Sequence, residues 1–379
     1  MINVKDFYDA LLDHGIYNFS GVPDSLLKDI CAYISDNTTS EHHLITANEG
    51  SAVALAVGQY IATGHPSLVY MQNSGFGNAI NPLLSLADNK VYSIPMVVMI
   101  GWRGEPGVKD EPQHVKQGAV MMQLLEACDL PSIIIDSKTS NIDKVLGSAV
   151  EQAISSSSPV VLLVRKGAFE PYKLKNTLPD ISEESRENAI KMVVEASGED
   201  DIFVSTTGMA SRELFEIRVQ KNQSHEKDFL TVGSMGHANM IALGISENTD
   251  RHIFCIDGDG ASLMHLGNFT STGQSGAKNL IHILLNNAAH DSVGGQPTYA
   301  SKINIPLIAK ACGYTSTSST SDVNKIQSYI DQFKLKPGPH LLEVKVRKGS
   351  RSDLGRPTSS PIQNKQALME IFRKANGFL

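Results

Sequence analysis

The sequence predicts an α/β protein of two duplicated parallel-sheet domains, with helices on both faces of each sheet. Three observations carry this. Apolar, β-rich runs without polar alternation recur between helical stretches, which is the pattern of parallel strands covered on both sides. The two halves share short motifs in the same order at a nearly constant offset. Two of the apolar runs end in Gly258-Asp259-Gly260 and Asn286-Asn287, polar clusters placed where open α/β sheets bind ligands, at the carboxyl ends of strands.

The strand runs of the first half are residues 68–71, 96–100, 132–135 and 160–164. A strand-like stretch at 43–46 precedes an almost wholly apolar helix that begins at Glu49. Residues 168–187 are polar, contain Pro171 and Pro179, and read as a linker leading into a capped helix. Domains are therefore expected at 1–170 and 188–379, with 171–187 as the linker. The second-half runs are 202–205, 253–256, 281–285 and 341–346. Residues 49–58 map onto 235–244 at an offset of 186, and the same offset places Gln72-Asn73-Ser74 on Gly258-Asp259-Gly260. Residues 159–167 also echo 339–349, each a strand ending in Arg-Lys-Gly.

Composition narrows the function classes. A chain of 379 residues suits two domains of about 150–200 residues. Net charge is −7 with no basic stripe, which argues against a nucleic-acid partner. No run reaches the roughly 20 apolar residues of a membrane span. The start lacks a basic segment followed by an apolar one, so no secretory signal is read. Cys31, Cys128, Cys255 and Cys312 are far apart and show no C-x-x-C spacing, as expected of reduced thiols. A cytoplasmic enzyme is expected.

The chemistry is read first from the second half. Between Gly260 and Asn286 lie 25 residues, room for a helix and a strand, so Asp259 and the asparagines should stand at neighbouring strand ends. One anionic and one neutral oxygen donor suit a hard cation such as Mg²⁺. The flanking glycines leave backbone N–H groups free to face a diphosphate. Alone, Asp259 also suits a helix cap and Asn286-Asn287 a turn. Glu49 at a helix start is ordinarily a dipole-stabilised cap. Met235, in Gly233-Ser234-Met235-Gly236, is by itself a core methionine beside a tight turn. The loop Thr206-Thr207-Gly208 follows a strand and can contact a diphosphate.

Polar loops at strand ends are candidates for substrate contact: 21–25, 72–78, 101–118, 290–297 and 349–357. The third holds the single tryptophan together with Arg103, Lys109, His114 and Lys116, and reads as an anion clamp or lid. Its carboxylates Glu105, Asp110 and Glu111 could equally satisfy those cations internally. Arg351 and Arg356 in a Gly/Pro/Ser loop suit a tetrahedral oxyanion.

The Gly-Asp-Gly and Asn-Asn spacing on duplicated domains resembles the thiamine diphosphate (ThDP) enzymes, especially their 2-oxo acid decarboxylases. The phrases Gly-Val-Pro-Asp-Ser (21–25), Asp-Glu-Pro-Gln-His (110–114), Ser-Val-Gly-Gly-Gln-Pro-Thr (292–298) and Arg-Ser-Asp-Leu-Gly-Arg-Pro (351–357) extend the likeness over essentially the whole chain. They resemble members whose substrates carry a phosphonate or sulfonate. The resemblance implies a ThDP-binding fold with a pyrimidine-type first domain and a diphosphate-type second. It implies Mg²⁺ held by Asp259, the side chain of Asn287 and the carbonyl of Ala289, with the diphosphate near Gly258, Gly260, Ala261, Thr207 and Gly208.

Glu49 would hydrogen-bond the aminopyrimidine, favouring the imino form that generates the ylid, and an apolar wall would keep its proton available. Met235 would prop the cofactor into a bent shape, Gly233 would accept from its amino group, and Asn78 lies among the expected cofactor contacts. Decarboxylation of 3-phosphonopyruvate is the expected reaction, with sulfopyruvate as the alternative. Ser25, Arg103, Lys109, Arg351 and Arg356 are the expected substrate contacts. The chain lacks a His-His pair after Gly101, so His114, His290, Asp24 and water are the candidate proton donors. The family also implies a homo-oligomer, at least a dimer, with the active site at the subunit interface. A nicotinamide-dependent dehydrogenase is disfavoured because no Gly-x-Gly-x-x-Gly opens a strand–helix unit. A catalytically silent binding protein is disfavoured because Glu49, Asp259 and Asn287 occur together.

Overall fold

The computed structural model describes residues 1–375. The chain forms two compact units, Met1–Leu178 with Ser292–Pro297, and Pro179–Asp291 with the chain from Thr298 onward. The first unit holds β1 (Phe19–Gly21), β2 (His43–Ile45), β3 (Leu68–Gln72), β4 (Met96–Gly101), β5 (Ser132–Ile135) and β6 (Pro159–Val164). They form one all-parallel sheet in the order β2-β1-β3-β4-β6-β5. The second unit holds β7 (Ile202–Ser205), β8 (Asp228–Leu230), β9 (Ile253–Gly258), β10 (Leu280–Asn286), β11 (Ser316–Thr320) and β12 (His340–Lys345). Its sheet, also all parallel, runs β11-β12-β10-β9-β7-β8. Read from the other edge, that is the first order repeated with six added to each strand number. The motif duplication is thus a duplication of topology.

Successive side chains on a strand face opposite sides, and here both sides are covered. Leu68 and Tyr70 of β3 join one apolar layer with Phe7, Leu11 and Ile30, while Val69 and Met71 join another with Val53, Phe76 and Leu83. Phe254 and Ile256 of β9 are separated from Ile253 and Cys255 in the same way. Burial of each such side chain stabilises by about 1.5–3 kcal/mol, so the unbroken apolar runs are explained by two layers. β1 and β8, three residues each, are too short to leave a run in the sequence. β11 reads Ser-Thr-Ser-Ser-Thr and tolerates that composition because it is an edge strand paired to β12 alone.

Local signals set the helices that matter for the site. Helix Glu49–Thr63 starts at Asn48, whose side chain accepts from Gly50 N–H at 2.8 Å, and stops at Gly64 in the left-handed region (φ 72°). Its counterpart in the second unit, Ala238–Ser246, starts three residues later than the offset from Glu49 implies. Ser234 (φ 53°) and Gly236 (φ 87°) lie in the left-handed region, so Met235 sits in a turn and not at a helix start. Helix Arg186–Ala196 is capped by Ser185, which accepts from Asn188 N–H at 3.1 Å, as the linker sequence predicts. The charged loop predicted over 101–118 is shorter, because Pro112–Ala127 is helical with proline in its first turn. Among the described residues no helix is long and apolar enough to cross a membrane.

Candidate active site

In the first unit the site is organised by the segment that leaves β3. Glu49 is buried, and Asn78 Nδ2 donates to its Oε2 at 2.8 Å. A Cβ on Gly75 would lie 2.2 Å from Glu49 Oε1, so only glycine lets the chain pass the carboxylate. Burial pushes the Glu49 carboxyl up, opposed by the Asn78 hydrogen bond. Two residues before Gly75, Asn73 Nδ2 donates to Arg103 O (2.8 Å) and its Oδ1 accepts from Arg103 N–H (3.1 Å). Residues 73–78 therefore join the Glu49 helix start to the loop after β4. Neither Asn73 nor Gly75 was singled out from sequence; their signal was the dense Asn/Gly/Ser run 73–78 following a strand.

Asp24 and Ser25 follow β1. Asp24 is wholly buried, and its Oδ2 accepts from the N–H groups of Leu26 (2.8 Å) and Leu27 (3.3 Å). Its Oδ1 has no partner. Gly101, the last residue of β4, is pressed against this carboxylate: a Cβ there would lie 2.2 Å from Oδ2. Burial pushes the Asp24 carboxyl up to about 6, partly offset by the Leu26 N–H and Arg103. Arg103 Nη1 donates to Ser25 Oγ at 2.7 Å. Its Nε and Nη2 are taken by Asp110, bidentately, with Nε to Oδ2 at 2.7 Å. The expected lid is thereby tied down: Asp110 also accepts from Gly104 N–H, and Trp102 Nε1 donates to Gly118 O at 2.9 Å. Of the two readings of that loop, internal satisfaction of Arg103 is the one found. His114, on helix Pro112–Ala127, is buried with Nδ1 unpartnered, and burial with the nearby Arg103 lowers its basicity. Lys109 is exposed.

In the second unit the carboxyl ends of β9 and β10 meet at Asp259. The Asp259 carboxylate is buried and accepts from the Thr298 hydroxyl and from the backbone N–H groups of Gly260 and Asn287. Burial nevertheless pushes it up to about 6. Asn287 Oδ1 accepts from Ala289 N–H at 3.1 Å and retains a second lone pair. The neighbouring Ala288 is held at φ 57°. A Cβ on Gly260 would lie 3.3 Å from the His290 ring and 3.5 Å from Met235 Cε, so the two side chains flank this turn. His290 is buried and its imidazole is pushed down to about 4, which keeps it neutral. Gly233 and Met235 are half-buried in the turn before helix Ala238–Ser246. Thr207 Oγ1 donates to Val232 O at 2.8 Å, and Gly208 takes φ 92° at the start of the next helix. Gly258 and Ala261 belong to the same turn as Asp259. Thr298 was not singled out as a site residue, although it closes the 292–298 phrase.

The two arginines expected to clamp an oxyanion are placed differently. Arg351 Nε donates to Glu187 (3.0 Å), and the guanidinium also pairs with Glu216 and with Asp353 (3.0 Å). Three carboxylates already match its single charge, which counts against an anion clamp there. Arg356 lies in the same loop, also engaged within the protein.

Glu49 in the first unit and Asp259 in the second are thus both buried carboxylates, and their surroundings differ. Asp259, Asn287 and a nearby backbone carbonyl are hard oxygen donors, and a buried carboxyl held near 6 returns to its charged form when a cation binds. Glu49 is a buried carboxyl on an apolar helix, suited to hold a proton for a ring nitrogen. Both fit the two ends of ThDP. Residues 3–125 match the family described as thiamine pyrophosphate enzyme, N-terminal TPP binding domain, and residues 206–344 match the corresponding C-terminal TPP binding domain. The chain belongs to the thiamine pyrophosphate enzymes. This thiamine pyrophosphate enzyme is 32% identical to a phosphonopyruvate decarboxylase of Streptomyces viridochromogenes, covering 96% of this chain and 93% of the relative. A phosphonopyruvate decarboxylase of Streptomyces hygroscopicus is also 32% identical, covering 95% and 92%. A sulfopyruvate decarboxylase of Methanosarcina acetivorans is 27% identical, covering 91% of each chain.

Proposed function

We propose that this enzyme decarboxylates 3-phosphonopyruvate to phosphonoacetaldehyde and CO₂, using ThDP held through Mg²⁺. The observation that carries the substrate is likeness over nearly the full chain to two phosphonopyruvate decarboxylases. Bound ThDP supplies a nucleophilic carbon and the electron sink for loss of CO₂. Asp259, the Asn287 side chain and the Ala289 carbonyl hold Mg²⁺, and Gly258, Gly260, Ala261, Thr207 and Gly208 line the diphosphate end. Met235 and Gly233 orient the cofactor.

Glu49 faces the aminopyrimidine with a carboxyl whose hold on its proton burial strengthens, opposed by the Asn78 hydrogen bond. Ser25 and the exposed Lys109 are left to receive one anionic end of the substrate, since Asp110 already matches the charge of Arg103. Asp24, whose carboxyl is held near 6, and water are the proton sources for the product, and His114 or His290, neutral at rest, can pass a proton on only after taking one up. Residues 1–170 take the pyrimidine end and 188–379 the diphosphate end, joined by 171–187.

The proposal includes a homodimer whose active sites combine Glu49 of one subunit with Asp259 of the other. Ile61, on the helix that Glu49 begins, is 71% exposed and offers apolar surface to such an association. The four cysteines are free, which fits a cytoplasmic location. Sulfopyruvate is the second reading, favoured by the 27% identical relative and by sulfopyruvate decarboxylase subunits that match parts of the chain. Steady-state rates on both 2-oxo acids separate the two. Phosphonopyruvate should be preferred, and activity should vanish with a chelator and return with Mg²⁺. Faster turnover of sulfopyruvate would overturn the substrate assignment.

A further inference from the structure

We propose that Asp257, backed by His282, is a positioning residue that shapes the turn after β9 and so sets the affinity for Mg²⁺ and diphosphate. The inference rests on the reading that Asp259 and Asn287 hold that metal. Asp257 is 1% exposed. Its Oδ1 accepts from Gly258 N–H at 2.9 Å and its Oδ2 from the Ser262 hydroxyl at 2.9 Å. One carboxylate therefore fastens the end of β9 to the first turn of helix Asp259–Met264. The residues between these two anchors, Gly258 to Ala261, are those assigned to the ligand.

Behind Asp257 lies His282 of β10. Its Nε2 faces Asp257 Oδ2 at 3.4 Å and has no hydrogen-bond partner, and its Nδ1 is 3.2 Å from the Tyr314 hydroxyl. Cys255 is the register partner of His282 and completes a fully buried polar trio. A buried carboxylate facing an imidazole gains little for folding, because desolvation offsets their attraction. An apolar pair of similar volume would fill this layer, at the cost of the acceptors for Gly258 N–H and the Ser262 hydroxyl.

The duplicated sheet supplies the internal comparison. The offset of 186 places Cys255 on Val69 and Asp257 on Met71, and Val98 pairs with Val69 as His282 pairs with Cys255. All three counterparts are apolar and fully buried. That copy carries Asn73 where the second carries Asp259. The same sheet topology thus forms without the polar trio, which accompanies only the carboxylate-bearing turn. Cysteine, aspartate and histidine are also metal-ligand types, but both Asp257 oxygens are committed to Gly258 and Ser262, which favours positioning over ligation.

The test transplants the first copy's residues into the second: Asp257→Met with His282→Val, measured by calorimetric titration of ThDP at fixed Mg²⁺ and by apo-protein melting. The apo Tm should stay within a few degrees of the parent while the ThDP Kd rises about 10- to 100-fold, as when groups that orient metal ligands are lost. Excess Mg²⁺ should recover part of the binding. A Kd within threefold of the parent, or a Kd loss matched by collapse of the apo Tm, overturns the proposal. Should the double variant fail to fold, Asp257→Asn keeps the shape and is judged by the same two readings. A parent protein that binds ThDP without Mg²⁺ would instead sink the metal assignment, and the two failures are separable.

Discussion

At the scale of single residues, the site depends on carboxyl groups whose hold on a proton is strengthened by burial. Glu49 is raised by burial on an apolar helix and held by Asn78. Glu49→Gln keeps the shape but removes the transferable proton. It should cut decarboxylation by about 10²- to 10⁴-fold while ThDP binding, read by calorimetry, stays within a few-fold. Near-parental turnover would remove Glu49 from the chemistry. Asp24 offers a stability reading independent of activity. Its carboxyl is raised from 3.8 to about 6, so the folded chain binds this proton more tightly than the unfolded one. The stability contributed by the neutral form is complete below pH 4 and is lost as pH rises through 6, by about 3 kcal/mol at most. Asp24→Asn can still accept from Leu26 and Leu27 and does not ionise. The Tm difference, variant minus parent, should climb between pH 4 and 7 in melting scans. A difference that does not change with pH would contradict the burial account.

At the scale of elements, the segment after β3 is the part of the first unit with the most roles. It packs Gly75 and Asn78 on Glu49 and Asn73 on Arg103, so a change there moves two groups together. Gly75→Ala would bring a methyl to 2.2 Å from Glu49 Oε1 before any relaxation. Displacing a reacting group by about 1 Å can cost about 100-fold in rate, so kcat should fall by at least tenfold while the far-ultraviolet circular dichroism stays parental. Unchanged kcat would mean that the carboxylate is free to shift without consequence. The loop after β4 illustrates the limit of reading charge from sequence. Its composition allowed either an open clamp or a self-satisfied loop, and Asp110 decides for the second by taking the Nε and Nη2 edge of Arg103. Spacing alone does not reveal which carboxylate folds back on which guanidinium. The same holds for Arg351, whose partners Glu187 and Glu216 stand far from it in the chain.

At the scale of the whole molecule, the duplication assigns one carboxylate to each unit, and the dimer proposal turns this into a complementation experiment. Glu49→Gln and Asp259→Asn proteins should each be inactive. Co-expressed, they should recover roughly a quarter of parental activity if sites combine residues from two subunits, since half of the dimers would carry one intact site. No recovery would place both carboxylates of a site in one chain. The sequence by itself determined the two-sheet α/β class, the central buried strands and the motif pair at the ends of β9 and β10. Those features leave local marks: unbroken apolar runs, glycines beside a carboxylate, and a repeat at constant offset. The short strands β1 and β8 and the polar edge strand β11 left none, since pairing and not composition makes them strands. Only the tertiary structure decided which charges are spent internally and which polar groups stand behind the turn. Asp110 on Arg103, Gly75 under Glu49, and Asp257 with His282 beneath Asp259 are contacts between separate elements. Such contacts follow from packing geometry, which no local pattern encodes.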